Sequence, residues 1–440
     1  MARSIAERFK AMWRQSTWTW QPRSEREAGD AVVRNLLLHW FPSKVHRMSI
    51  AWSTSMYLGV ISAYLFLILI LTGLGLMFLY VPSVERAYAS VKDIEFAVSF
   101  GTVLRGQHRM AAHLMVAVVF VHMARVFFTG AYRSATAANG NRELNWIVGV
   151  FMLLTTLFLS FTGYLLPWDQ LAYWAITVGT NIARAAPLLG EQMRYLLLGG
   201  NTIDQNALLR FYVLHCIFLP AALLLMFSYH MWRIRKDGGM AVVDRLAVLE
   251  QAAPVKTKSY TLMGIAKGTT VQVETSVVDE EKDCLSSSPH LLRRLVAVFA
   301  ATLAVVTALA IFVPAPLETP ADPGLTPNPA KAPWYFLWLQ ELVADTTFKV
   351  GGFTVDGALV GGIVLPGLLV ALLLVWPYLD RSPKEAVGCW FHSTRSVQNI
   401  VFAVSVILLL VFLIIGTFMR GPYWNFYWPW ESWPGIPAKI

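Results

Sequence analysis

The chain has 440 residues, of which 56% are hydrophobic and only 14% charged, and its mean hydropathy is +0.51. A soluble domain normally carries about 25% charged residues, so a water-soluble protein built round one core is excluded. The formal charge of +9 sits on no separate basic domain, so nucleic acid is not an expected partner.

Residues 1–52 are basic and interrupted by Pro22 and Pro42, with Trp13, Trp18, Trp20, Trp40 and Trp52 interspersed among Arg and Lys. This composition predicts a cytoplasmic, interfacial segment at the head-group level, and no apolar core of a cleavable signal peptide is seen. Seven apolar runs then follow, near 54–80, 110–130, 145–166, 210–232, 293–313, 358–377 and 397–418. Each is long enough to cross about 30 Å of hydrocarbon as a helix. The predicted fold is therefore an all-α integral membrane protein. Residues 53–235 form a four-helix bundle and 293–420 a three-helix C-terminal module. Residues 236–292 form a polar cytoplasmic linker with room for a small β element, and 421–440 an aromatic tail on the outer side.

Short surface helices are expected in the connection 167–209, and the proline-rich 314–357 stretch cannot be one long helix. With seven spans, the N-terminus and three connections share a side that holds about 25 of the 36 Lys and Arg. The excess of Lys and Arg places that side in the cytoplasm. The same basic segments suit anionic lipid.

The second span carries His108 and His122, 14 apart, and the fourth carries His215 and His230, 15 apart. At about 100° per residue each pair lies near one helix face, and at about 1.5 Å per residue its members are roughly 21–23 Å apart. Both helices run the same way, so the pairs match in depth. Imidazole is a standard axial ligand of haem iron, and ionisable side chains at depth are costly and tend to be functional. Two bis-histidine haems are therefore expected. Cys216, Cys284 and Cys389 form no CxxCH motif, so the haems would be held non-covalently.

Gly59 and Gly73 in the first span, and Gly149 and Gly163 in the third, repeat the spacing of 14. They would let a macrocycle edge approach the backbone. Arg109, Arg125 and Arg210 are candidate propionate partners or interfacial anchors. His113 is turned away from both ligand positions and is read as a packing residue. His39, His46, His290 and His392 fall outside the predicted spans.

Together with FTGYLLPWDQLAYWA at 161–175, these features resemble the cytochrome b family of quinol–cytochrome c reductases, in particular the cytochrome b6 branch. There the C-terminal module is a separate subunit; here the halves are fused. The resemblance covers about 30–420. It implies a Q-cycle in a bacterial inner-membrane complex and a catalytic subunit oxidising quinol at an outer site. One electron would pass to a Rieske iron–sulfur protein and a cytochrome c, and the other through both haems to a quinone at an inner site. It also implies a homodimer.

Two departures stand out. The family's PEWY is replaced by Ala332, Pro333, Trp334 and Tyr335, so the acid is missing. Glu341, two turns further along if the stretch is helical, is the nearest carboxylate that could accept the quinol proton, with Asp345 and Tyr335 weaker candidates and Trp334 a further residue of the site. Tyr57 stands where b6 relatives carry the cysteine of a third haem, so no covalent third haem is expected. At the inner site Arg233, Arg235, Lys236 and Asp237 either supply protons or anchor the helix. The competing readings are a haem b anchor of another oxidoreductase and a proton-coupled transporter. The PWDQ stretch and second module count against the first, and the lack of broken helices against the second.

Overall fold

The computed structural model describes residues 6–7, 24, 26–29, 42–135, 141–237, 239–243, 257–261, 270–274 and 283–433. Most of the tryptophan-rich N-terminal segment, including Trp13, Trp18, Trp20 and Trp40, lies outside them. Among the described residues seven helical runs are long and apolar enough to cross a membrane.

The helices in chain order are α1 (Leu58–Met77), α2 (Ala87–Phe96), α3 (Gly101–Phe128), α4 (Arg142–Tyr164), α5 (Gln170–Arg184) and α6 (Gly190–Leu198). Next comes α7, which runs through Gln205–Val213, a π-turn at Leu214–Phe218 and Leu219–Lys236. The C-terminal half adds α8 (Leu292–Phe312), α9 (Trp334–Asp345), α10 (Leu365–Leu379) and α11 (Ser396–Ile414). The largest boundary difference is at α3, which begins nine residues before the predicted run. Arg105, Gln107, His108 and Arg109 dilute the hydropathy there without interrupting the helix.

Local sequence explains the starts. Asn141 accepts a hydrogen bond from Leu144 N at 3.0 Å and has Glu143 beside it in the first turn of α4. Asp204 accepts from Asn206 N at the start of α7. Such side chains satisfy amide groups that a helix start leaves unpaired.

Helices α1, α3, α4 and α7 form the bundle. Leu65, Phe66 and Ile68 of α1 meet Ala111 and Met115 of α3 and Leu223 of α7 in one buried cluster, which Val306 of α8 joins. Lipid tails are as apolar as leucine, so such contacts hold by close packing and hydrogen bonds rather than by escape from water. Gly106 supplies the close approach: a Cβ there would lie 3.0 Å from the Ala310 carbonyl of α8. Next to it Gln107 Nε2 donates to Thr307 Oγ1 at 2.8 Å.

The halves are joined again at each end. At one end the PWDQ stretch turns: Trp168 has φ +54°, and Asp169 caps α5 through Ala172 N while its other oxygen accepts from Glu318 N. Gln170 N and Ala321 N complete this seam to the proline-rich segment by donating to the Thr319 and Trp168 carbonyls. At the other end Tyr132 donates to Asp380 at 2.6 Å, and Arg395 donates to the Tyr132 hydroxyl and to the Phe127 and Phe128 carbonyls.

Among the described residues three small two-stranded sheets complete the fold. β1 (Lys44–His46) pairs antiparallel with β4 (Cys284–Ser286), tying the segment before α1 to the end of the linker. β2 (Thr257–Thr261) and β3 (Thr270–Glu274) form a hairpin within the linker, and β5 (Phe348–Val350) pairs with β6 (Phe353–Val355) after α9. The eighth helix is preceded by a π-turn from Ser287, so the apolar run starts at Ser287 and includes His290, contrary to the expectation that this histidine falls outside the spans.

Candidate functional site

Each of the four spaced glycines faces one of the four spaced histidines. A Cβ on Gly73 would lie 3.2 Å from His108 Cε1, on Gly59 3.2 Å from His122, on Gly163 2.5 Å from His215 and on Gly149 3.9 Å from His230. The order of these pairs makes α1 antiparallel to α3 and α4 antiparallel to α7. The space opened by each glycine thus receives an imidazole ring.

His108 and His215 face one another with ring centroids 6.1 Å apart and planes at 77°. His122 and His230 lie within electrostatic reach of each other further along the same two helices. Metal–imidazole bonds are about 2.0–2.1 Å long, so two rings sharing one metal through Nε2 have centres about 6 Å apart. The upper pair already has that separation.

Its tautomer is set as well. Thr72 donates its hydroxyl hydrogen to the Ile68 carbonyl at 2.7 Å and so presents a lone pair to His108 Nδ1 at 2.9 Å. His215 Nδ1 lies 3.1 Å from the Leu159 carbonyl and 3.2 Å from Thr162 Oγ1, which itself donates to Phe158. A carbonyl can only accept, so Nδ1 carries the hydrogen and Nε2 keeps the ligating lone pair. These threonines were missed from sequence. Their signal was the repeated Thr-Gly at 72–73 and 162–163; the other two glycines follow Leu58 and Val148.

The unequal spacings, 14 and 15, are reconciled by the π-turn holding His215. Leu219 N donates to the Leu214 carbonyl, an i→i+5 bond. A π-turn absorbs one extra residue, so 15 residues in α7 sweep about the same angle as 14 in the regular helix α3. Pro220, which lacks an N–H and would clash with a carbonyl four residues back, accounts for the break at that place.

The guanidinium groups divide. Arg109 Nε is buried and has no hydrogen-bond partner among the described residues, which suits an anionic group next to His108. Arg125 spends Nε and Nη2 on the Thr54 carbonyl at 3.0 and 2.6 Å. Arg210 donates to the Leu196 carbonyl in the last turn of α6 and is occupied there. Tyr57 donates its hydroxyl to the Ile50 carbonyl at 2.7 Å. At the far end of α7, Arg233 and Asp237 form a buried ion pair at 3.0 Å, Arg233 also donates to Asn141 O, and Lys236 lies over Trp232.

The residues around α9 separate into two groups. Trp334 and Tyr335 face α3 and α4. The Tyr335 ring lies 5.8 Å from His113, and Trp334 Nε1 donates to His113 Nδ1 at 3.0 Å. His113 is therefore hydrogen-bonded at a junction of helices, not simply packed. Glu341 is fully buried but points elsewhere: Arg420 Nε lies 2.8 and 3.1 Å from its two oxygens, and Arg420 also reaches Asp345 at 2.8 Å. Lys331 lies near the same carboxylate and donates to Thr417 O. The Glu341–Arg420 pairing was not anticipated, because nothing in the sequence joins positions so far apart.

Two family models match the chain: Cytochrome b/b6/petB over residues 44–238 and Cytochrome b(C-terminal)/b6/petD over residues 320–427. Cytochrome b6 of Heliobacterium modesticaldum is 39% identical over 207 residues, which are 47% of this chain and 92% of that protein. The menaquinol:cytochrome c reductase cytochrome b subunit of Bacillus subtilis is 42% identical over 181 residues, 41% of this chain and 78% of that one. Among solved structures, a chain of a hyperthermophilic respiratory complex III superposes with a TM-score of 0.63 at 24% identity, covering 82% of this chain and 84% of the other; that likeness concerns the fold. The four spaced imidazoles thus sit in a sequence matched in both halves, and the chain belongs to the cytochrome b/b6 family, with its N- and C-terminal parts carried on one polypeptide.

Proposed function

We propose that the chain is the di-haem cytochrome b subunit of a quinol–cytochrome c reductase in a bacterial inner membrane, with its N-terminus in the cytoplasm. The observation that carries this reading is the facing of His108 and His215 with ring centroids 6.1 Å apart, with His122 and His230 within electrostatic reach of each other further along the same helices. His108 and His215 would hold one haem and His122 and His230 the other, without thioether bonds.

Two haems, when bound, supply one-electron carriers at two depths, the chemistry needed to divide the electrons of a quinol between a Rieske protein with its cytochrome c and an inner quinone site. The protein's own part is to hold and insulate. Thr72, Thr162 and the Leu159 carbonyl keep Nδ1 protonated and Nε2 free at the upper pair. Arg109, with its unpaired Nε, is the propionate partner there. Arg125 retains one nitrogen, Nη1, beyond those given to Thr54 and serves the lower pair. The N-terminal half of α9 offers Trp334 and Tyr335 as walls of the quinol site. A homodimer and lipid contacts follow the family pattern.

Glu341 is the proposed acceptor of the quinol proton. Its ion pair with Arg420, which also reaches Asp345, favours a second role as a clamp between α9 and the segment after α11. Glu341→Gln separates the two. Slowed quinol oxidation in a complex of normal stability supports proton transfer. Normal turnover in a less stable complex leaves only the clamp.

The reading as a whole is tested by haem spectra of the purified complex. Replacing His108 or His215 with leucine should remove one b component and leave the other, and replacing His122 or His230 should do the reverse. A pigment that survives all four substitutions refutes the ligand assignment.

A further inference from the structure

His113 is a polar side chain within a membrane helix for which the haem sites have no use. It lies five residues beyond His108 on α3, about 7–8 Å further along the axis and on another face. Its ring sits against the start of α9, where Trp334 and Tyr335 follow Ala332 and Pro333, the pair that stands in place of the Pro-Glu of the acid-bearing motif.

The indole of Trp334 can only donate, and it donates to His113 Nδ1 at 3.0 Å. Neutral imidazole has one lone pair and one N–H, so with Nδ1 accepting, the hydrogen is on Nε2. That N–H has no partner among the described residues, although the side chain is only partly buried. The surroundings are aromatic: Tyr335 at 5.8 Å from the imidazole, Trp334 at 5.4 Å and Phe336 at 5.0 Å from Tyr335, and Phe161 of α4 at 6.1 Å from Phe336. Tyr335 is 6% exposed while Trp334 is 38% exposed, so the group is open on the Trp334 side.

A donor N–H among aromatic walls inside a bilayer has no acceptor in lipid tails, and leaving it unpaired is costly. The matching ligand is flat, lipophilic and carries an oxygen acceptor on its ring. We propose that His113 binds the quinone headgroup at the outer site, donating its Nε2–H to a ring oxygen, with Trp334 fixing the tautomer. This rests on the quinol-oxidising function proposed above. It assigns recognition, not proton acceptance, because the only lone pair of the ring is engaged by the indole. His113 is thus a substrate-binding residue independent of Glu341.

The test uses the purified complex, a short-tailed naphthoquinol and cytochrome c reduction, with haem spectra recorded for every variant. The amide oxygen of asparagine can take the place of Nδ1 and keep the bond from Trp334, but nothing then reaches the Nε2 position. The longer glutamine places an amide N–H near Nε2. H113N should raise KM about 10-fold, with kcat changed less than about 2-fold and both b components unchanged; H113Q should stay within about 3-fold of the wild-type KM.

An H113N complex with wild-type KM overturns the proposal, as does equal impairment of the asparagine and glutamine variants, which marks a packing role. A wild-type complex that does not oxidise quinol at all overturns the functional reading and this inference with it. A wild type that turns over while H113N behaves identically overturns this inference alone.

Discussion

Adding one methyl group at Gly163 should disturb the His108–His215 site far more than the same change at Gly149 disturbs its counterpart. A Cβ at Gly163 would stand 2.5 Å from His215 Cε1 and 3.0 Å from both ring nitrogens. Comfortable carbon contacts are about 3.5–4.0 Å, so the ring must retreat by roughly 1 Å. It is held by Nδ1 contacts of 3.1 and 3.2 Å to Leu159 and Thr162, which such a shift breaks. Overpacking costs about 1–3 kcal/mol, and a lost hydrogen bond adds about 1 kcal/mol. At Gly149 the new carbon would lie 3.9 Å from His230 Cε1, an ordinary contact. Alanine in place of a helical glycine gains about 0.5–1 kcal/mol. That gain is common to both positions and cancels, so the two variants should differ by about 2–4 kcal/mol, with Gly59→Ala and Gly73→Ala, both at 3.2 Å, between them. Pyridine haemochrome content and redox titration of the purified complex measure the outcome. Gly163→Ala should lose or shift one b component, and Gly149→Ala should keep both. Equal damage at both positions, or an untouched spectrum for Gly163→Ala, refutes the argument.

The π-turn makes a second expectation. Deleting Ile217 together with Pro220→Ala should let α7 run as a regular helix with both imidazole pairs in phase, so that the haem count stays at two. Deleting Ala117 from α3, which has no such turn, should swing His122 by about 100° relative to His108 and lose haem; haem retained in both deletions, or lost in both, counts against the phase account. A third concerns acid. Burial pushes the Asp380 carboxyl up, but hydrogen bonds from Tyr132 and Ser382 and the Arg133 charge outweigh it and leave the group below its ordinary value. A folded-state value below the unfolded one gives stability that is present above about pH 4 and lost as pH falls through the lower folded value. Thermal unfolding of wild type and Asp380→Asn between about pH 3 and 7 should show an advantage of the wild type that is flat at neutral pH and shrinks below about pH 4. An advantage unchanged by acid would mean that Asp380 contributes no proton-linked stability.

The membrane helices were legible because the signal is local. Residues such as Leu58–Met77 and Ser287–Phe312 announce themselves by composition, and the larger displacements are at the starts of α3, of α7 and of the span that holds α8, where polar side chains dilute an apolar run. The histidine pairs were legible for the same reason, since helical periodicity converts separation into direction. His113 shows the limit of that method. Its angle relative to His108 was read correctly, yet an angle does not say which neighbour occupies that direction.

Chain composition and helical period alone therefore give a seven-span membrane protein with four imidazoles at two levels, while the missing acid emerges only against the family's motif. Which groups complete them depends on packing between distant segments. Glu341 meets Arg420 across 79 residues, and Trp334 meets His113 across 221. Such pairings are set by how helices rotate and approach one another, and close approach in turn depends on single glycines such as Gly106 and Gly163. Hydrogen bonds and ion pairs fall off within a few ångströms, so they are decided only once the helices have docked.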